Sequence, residues 1–312
     1  MKNMKIKILA LGSAVLMLAS CLKEANMNTD PSTATNVIEL ANTTDNTAPA
    51  GVPGYYIDLG VLAAGDSAKF NINVHYTGPG TAPNDITVTL SKDDATLTTF
   101  NTTNGTSKVA PVATVINFPS TVVIKKGTSQ TTVQATVTLS SDFNFNAAYA
   151  LPIKISAVSS GVISGNFGSS VYAFGVRNKY DGVYRMKGFH TRSPYNFPYD
   201  ETMEMRTLGA ASVGYYWPAA GAFGHPIGIG PNNTLNWYGG SISPVVVFDP
   251  ATNLVTNIYN QGSTTTPISI YTGAGSGQCR QDQSTKTMYL YWRYNANDAR
   301  GFLDTLTYLH AR

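Results

Sequence analysis

Lys69-Phe70-Asn71-Ile72-Asn73-Val74-His75-Tyr76 is the stretch that decides the fold class. Phe70, Ile72, Val74 and Tyr76 fall on one side of an extended chain, and Lys69, Asn71, Asn73 and His75 on the other. A period of two with one apolar face marks a strand that is buried on one side and wet on the other. The same pattern recurs outward from it: Ile86, Val88 and Leu90; Val133, Ala135, Val137 and Leu139; Leu151, Ile153, Ile155 and Ala157. Gly78-Pro79-Gly80, Asp93-Asp94, Lys125-Lys126-Gly127 and Ser159-Ser160-Gly161 punctuate the runs as turns. About seven short strands over roughly 140 residues predict an immunoglobulin-like β-sandwich spanning 36–176.

No apolar stripe of helical period and useful length follows residue 21, so the chain reads as all-β. The content of Thr, Ser, Asn, Gly and Tyr agrees with that. Beyond Val176 the composition changes. Of 33 aromatic residues, 21 lie past that point, including all three tryptophans. Strands continue there: Met203 and Met205 against Glu204 and Arg206; Val245 to Phe248 and Leu254 to Tyr259 about a turn; Met288, Leu290, Trp292 and Tyr294; then Phe302 to Leu309. These predict a second β-rich domain over 177–312, a lipocalin-like barrel or a second sandwich.

Ala148-Tyr149-Ala150-Leu151-Pro152-Ile153 and the junction Tyr172-Ala173-Phe174-Gly175-Val176-Arg177-Asn178-Lys179-Tyr180-Asp181-Gly182 resemble a two-domain lipoprotein family of gut-type Bacteroidota. The resemblance implies an N-terminal immunoglobulin-like domain ahead of a variable β-rich one. It also implies company with outer-membrane glycan-uptake systems of the starch-utilisation type. The same first domain can precede glycoside hydrolases, so the resemblance does not choose between binding and catalysis.

The N-terminus carries its own message. Lys2, Lys5 and Lys7 precede an apolar run from Ile8 to Leu18, and Leu18-Ala19-Ser20-Cys21 closes it. That is the layout of a secretory signal, residues 1–20, with an apolar run too short to span a bilayer. Small residues before Cys21 resemble the bacterial lipoprotein box, which predicts lipidation of Cys21 and a flexible polar tether over 21–35. The expected location is the outer membrane, at its surface or periplasmic face. Removing the leader takes the formal net charge from +3 to zero. Such a chain has no electrostatic footprint for nucleic acid. Cys279 is then left without an intramolecular partner.

Chemistry-bearing motifs are sparse. H-E-x-x-H, G-x-S-x-G and G-K-[ST] are absent, and His75, His190, His225 and His310 show no metal spacing. No cofactor or metal is expected. A glycosidase needs two carboxyl groups about the scissile bond. The second domain offers Asp181, Asp200, Glu201, Glu204, Asp249, Asp282, Asp298 and Asp304; Asp181 and Asp249 sit in turn signals, Glu204 alternates to the wet side, and Asp304 has the better claim to a partly inward place, without an evident partner. The segment Gly209 to Gly240 is the richer one, with eight glycines, three prolines, Tyr215-Tyr216-Trp217 and Asn236-Trp237-Tyr238. It reads as a long functional loop. Flat aromatic rings with polar tips suit the C–H faces of sugars. The ligand-binding candidates are therefore Trp217, Trp237, Tyr238, Tyr216 and Asn236. Trp217 and Trp237 could equally plug the core, and Trp292 is expected to be core. The expected function is a non-catalytic glycan-binding accessory protein. A hydrolase using carboxylates of the second domain, or an assembly partner of an outer-membrane complex, are the alternatives.

Overall fold

A computed structural model describes residues 35–41 and 46–312. The leader, Cys21 and the tether lie outside them. The first ten strands are β1 (Val37–Leu40), β2 (Gly54–Val61), β3 (Ser67–Thr77), β4 (Ile86–Lys92) and β5 (Ile116–Asn117), then β6 (Thr121–Ile124), β7 (Gln130–Thr138), β8 (Ala150–Val158), β9 (Val162–Ile163) and β10 (Ser169–Arg177). They form two five-stranded sheets, ordered β5-β7-β3-β1-β9 and β2-β10-β8-β4-β6. The alternating strands pair as their pattern requires, with Phe70 opposite Ala135 and Ile72 opposite Val133. Their inner faces meet in one core holding Ile72, Val74, Val88, Leu90, Leu151 and Tyr172. This is the sandwich that the alternation predicts. It has one element that the reading missed, an α-helix, α1 (Asp94–Asn104). Only Thr96, Leu97 and Phe100 of α1 are buried, so Thr and Asn mask any apolar stripe, and the turn signal Asp93-Asp94 is its N-terminus.

The second half holds β11 (Gly182–His190), β12 (Pro198–Gly209), β13 (Ser212–Trp217), β14 (Ala222–Phe223), β15 (Pro226–Gly230) and β16 (Thr234–Trp237). It continues with β17 (Pro244–Phe248), β18 (Val255–Asn260), β19 (Ile268–Ile270), β20 (Arg280–Gln281), β21 (Met288–Tyr294) and β22 (Gly301–His310). All but β15 and β16 belong to one sheet, whose main path is β18-β17-β13-β12-β11-β22-β21-β19. The sheet curls until its ends meet. Val255 N–H donates to the Cys279 carbonyl at 3.0 Å, and Gln281 N–H donates to Asn253 at 2.9 Å. Closure removes the free edges that an open sheet would expose. Of the two architectures open to the sequence, the barrel is the one formed. Among the described residues, no strand before Asn178 pairs with one after it. The linking turn is sewn to the barrel: Asn178 Nδ2 donates to the carbonyls of Gly209 and Ser212, both at 2.8 Å, and the Asp181 carboxylate accepts from Thr207 N–H at 2.8 Å.

The Gly209–Gly240 segment is not a surface loop. It supplies β13 and then drives residues 222–228 into the barrel as a plug, with β15 and β16 as its hairpin. His225 is 1 % exposed and Ile227 3 %. Its glycines serve close approach rather than looseness. A Cβ on Gly224 would lie 2.5 Å from the Trp237 ring, and one on Gly228 would lie 2.1 Å from the Phe197 carbonyl oxygen. At the bottom of the plug lies Asp304, fully buried on β22. Tyr199 Oη donates to its Oδ1 at 2.5 Å; Tyr215 Oη and Trp292 Nε1 donate to its Oδ2 at 3.1 and 2.8 Å. His225 Nε2 lies 3.2 Å from that same Oδ2, while its Nδ1 is 2.6 Å from the Pro226 carbonyl oxygen. A carbonyl can only accept, so Nδ1 carries a hydrogen. In the sequence Asp304 has the better claim to an inward place but shows no partner; four partners converge on it, from β12, β13, β21 and the plug.

His190, the last residue of β11, is also fully buried, stacked 4.1 Å above the Phe302 ring. Neither ring nitrogen has a hydrogen-bond partner. Burial pushes its pKa down from 6.5 to about 3, helped by the charges of His225 and Arg192.

Two outcomes follow from this fold. Fragments 36–176 and 177–312 should each give dispersed NMR spectra and β-type circular dichroism; an unfolded second fragment would show a shared core. For His190, the unfolded chain binds a proton between pH 6.5 and about 3 that the native chain refuses. Stability should therefore fall as pH drops through that window, by up to about 1.4 kcal/mol per unit from this residue. Urea titrations of the wild type and His190→Leu across pH 7 to 4 measure it, and identical slopes would overturn it.

Candidate functional site

The barrel sorts the sequence-nominated residues by the parity of their strands. On β13, Tyr215 and Trp217 face inward and Tyr216 faces out, so Tyr216 and Trp217 cannot line one site. The Tyr216 ring lies under the Arg206 guanidinium, 3.2 Å from its Cζ, and Arg206 in turn pairs with Glu204 at 2.8 Å. Glu204 is thus partly covered rather than solvated. Trp217 is only 8 % exposed and meets Trp237 edge to face at 5.9 Å. Its ring offers no face to a sugar; it belongs to the core, which was one of its two expected places. Trp237 is half-buried against Gly224. Asn236 is exposed, its Oδ1 accepting from Trp237 N–H at 2.8 Å. Tyr238 lies apart from these, its Oη 3.1 Å from Tyr294 Oη and 3.2 Å from Arg192 Nη1. Burial, with the Tyr294 hydroxyl, pushes the Tyr238 pKa up to about 12, so it stays a neutral phenol. Trp292 is fully buried, as expected.

The open polar space of the barrel lies instead over the start of β12. A groove of about 620 Å³ is lined by Arg185, Asp200, Glu201, Thr202, Asn233 and Leu309. Its geometry is set from two sides. Asn232 and Asn233, at φ 57° and 56°, make the tight turn between β15 and β16, a conformation that Asn tolerates better than most residues. The turn places the Asn233 amide over β12. Asn233 Nδ2 donates to Glu201 Oε1 at 3.0 Å, and Asn233 Oδ1 accepts from Asp200 N–H at 3.0 Å. From inside the barrel, Trp217 Nε1 donates to Glu201 Oε2 at 3.3 Å. Both oxygens of Glu201 are thereby held.

Across the strand, Asp200 takes a two-point contact from Arg185 at 2.7 and 2.8 Å, with Lys187 at 3.4 Å. The Arg185 hydrogen bonds hold the Asp200 carboxyl below its usual range and raise Arg185 above its own. The result is a shallow groove of oriented carboxylates, an amide and a guanidinium. Glu201 was overlooked as a special position, yet its parity is visible in the sequence. It shares the odd row of Tyr199, Met203 and Met205, where a carboxylate is out of place. Among the described residues no group of three His, Cys, Asp or Glu could hold a metal ion. Cys279 is buried, and burial pushes its thiol up.

Comparison with known proteins places the fold. Residues 49–162 match a family model described as a "-like, N-terminal domain", a match confined to the sandwich. No curated protein matches the chain. A protein of unknown function from Bacteroides ovatus superposes with a TM-score of 0.57 at 15 % identity, covering 88 % of this chain and 95 % of that one. A second from the same organism, also of unknown function, gives 0.53 at 12 % identity, covering 87 % and 93 %. An auxiliary nutrient binding protein from Bacteroides thetaiotaomicron aligns over 86 % of this chain and 92 % of its own, at 12 % identity and a TM-score of 0.42. At such identities the first two speak for the fold alone, and the third is too distant to speak for either fold or function. The resemblance carried by the junction residues holds at that level: the N-terminal domain of this chain matches the family model, and the chain is similar in fold to two-domain Bacteroides proteins of unknown function.

Proposed function

We propose that this chain is an exported, lipid-tethered saccharide-binding protein whose ligand lies in the groove over Glu201 and Asn233. One observation carries the reading: both Glu201 oxygens are fixed, by an indole N–H and an amide, beside an open groove. A sugar presents neighbouring hydroxyls, each a donor and an acceptor. Pre-oriented carboxylate, amide and guanidinium groups satisfy them without ordering side chains at the moment of binding. The barrel interior is filled by the plug and its aromatic neighbours, so a ligand must sit outside it. Catalysis is less well served. Asp304 is sealed in the core, Asp200 is held by two cations, and a hydrolase needs two carboxyl groups free to flank the bond. The first domain then acts as a spacer, and outer-membrane uptake proteins are the partners that such an accessory protein would serve.

A glycan array probed with the exported chain tests the reading, and release of shorter products from a bound glycan would overturn its non-catalytic part. For a saccharide found there, Glu201→Gln and Asn233→Ala should each weaken binding by about tenfold or more, the worth of a hydrogen bond to a charged group. Unchanged affinity in both variants would move the site elsewhere. The tether is tested separately: Cys21→Ser should abolish fatty-acid labelling in cells, and persistent labelling would refute lipidation at that residue.

A further inference from the structure

The opposite chemistry gathers at a different place on the barrel. Arg177, Arg185, Arg206, Arg293 and Arg312 each pair with a carboxylate. Arg192, just past β11, and Arg300, just before β22, have no carboxylate partner among the described residues. Both meet at Tyr294. Arg192 Nη1 donates to Tyr294 Oη at 3.1 Å and to Tyr238 Oη at 3.2 Å, while the Arg300 guanidinium lies 5.2 Å from the centre of the Tyr294 ring. The nearest carboxylate, Asp298 on the same turn as Arg300, is engaged by Arg293; the two hydroxyls are bonded to each other, and His190 packs against their rings.

The consequence is geometric. A guanidinium has five N–H groups, and the two phenols occupy the two on Nη1. They leave the Nε–H and Nη2–H edge, the fork whose spacing matches the two oxygens of a carboxylate. The same contacts hold that fork in one orientation. Beside it stands Tyr195, its ring 5.5 Å from the Arg192 guanidinium and 36 % exposed. Its backbone is pinned by Tyr195 N–H donating to the Arg192 carbonyl at 2.7 Å.

We propose that Arg192, with Arg300 next to it and Tyr195 as a stacking face, forms a second binding site, for the carboxylate of a uronic acid residue in an acidic saccharide. The fork takes the carboxylate, the second cation adds charge, and the Tyr195 ring takes the C–H face of the sugar ring. The site shares no residue with the groove over Glu201 and stands or falls independently of it.

Calorimetric titration of the intact chain tests this with three probes: a uronic acid trisaccharide, its methyl ester and acetate. The acid should bind at least tenfold more tightly than the ester, which keeps the ring and loses the charge. Acetate, with charge and no ring, should bind at least tenfold more weakly than the acid. Arg192→Lys keeps the positive charge and loses the fork, so the preference for acid over ester should fall severalfold. Tyr195→Ala should weaken acid binding about tenfold, and Tyr195→Phe should preserve it. Tyr195 is exposed, so its variants keep the test sound if Arg192→Lys lowers the melting temperature. Equal binding of acid and ester, no binding of either, acetate as tight as the acid, or an undiminished preference in Arg192→Lys would each overturn the proposal. In a Glu201→Gln background, which disables the groove, the acid should keep its preference over the ester; loss of that preference would place the carboxylate in the groove and overturn the proposal.

Discussion

A carboxyl group at the centre of an apolar barrel is tolerable only if its oxygens are fully bonded, because an isolated charge there would cost far more than the fold can supply. Asp304 meets that condition through Tyr199 on β12, Tyr215 on β13, Trp292 on β21 and His225 on the plug. Those residues are far apart in sequence, so the network can form only when the barrel has closed and the plug is seated. It thereby selects one arrangement among the many in which the same apolar rows could pack. Removing one partner would leave polar groups unpaired in the core, which is why the network acts as a unit.

Seating the plug has a second consequence. With His225, Ile227 and the stacked rings of Trp292 and Phe302 in the interior, this barrel does not offer an internal ligand chamber. In the proposed function, recognition therefore falls to the outside, where the plug's own hairpin reaches the sheet. The turn at Asn232 and Asn233 is thus both the end of a core element and one wall of the groove. Trp217 links the two, its ring in the core and its N–H on Glu201. In the proposed site, Trp217 would thus orient Glu201 without itself touching the saccharide.

The charged groups of the barrel are segregated. The acidic groove is balanced by Arg185 and Lys187, which are engaged with Asp200. At Arg192 the phenols satisfy hydrogen bonds without neutralising charge, and Arg300 lies over the Tyr294 ring. Tyrosine does there what a carboxylate does elsewhere on this surface, with the difference that the guanidinium keeps its full attraction for an anion.

Alternation of apolar and polar residues was enough to read the sandwich strands, since a one-residue slip would turn Phe70, Ile72 and Val74 to solvent. The strands of the second half, the turn at Asp249 and the inward place of Trp292 were legible for the same reason. The helix α1 was not, because two buried apolar side chains among Thr and Asn make no periodic signal. Nor was the plug. Glycine marks a loop and a close backbone approach alike, and only the positions of Trp237 and Phe197 tell which applies at Gly224 and Gly228. The candidate sites divide in the same way. Sequence by itself determined the strands, their faces and the supply of aromatic, acidic and basic groups, because those depend on local periodicity and composition. Tertiary structure alone decided that Trp217 is core, that Glu201 meets Asn233, and that Arg192 meets Tyr238 and Tyr294. Such contacts join residues tens of positions apart, and their geometry exists only once the sheet has curled and closed.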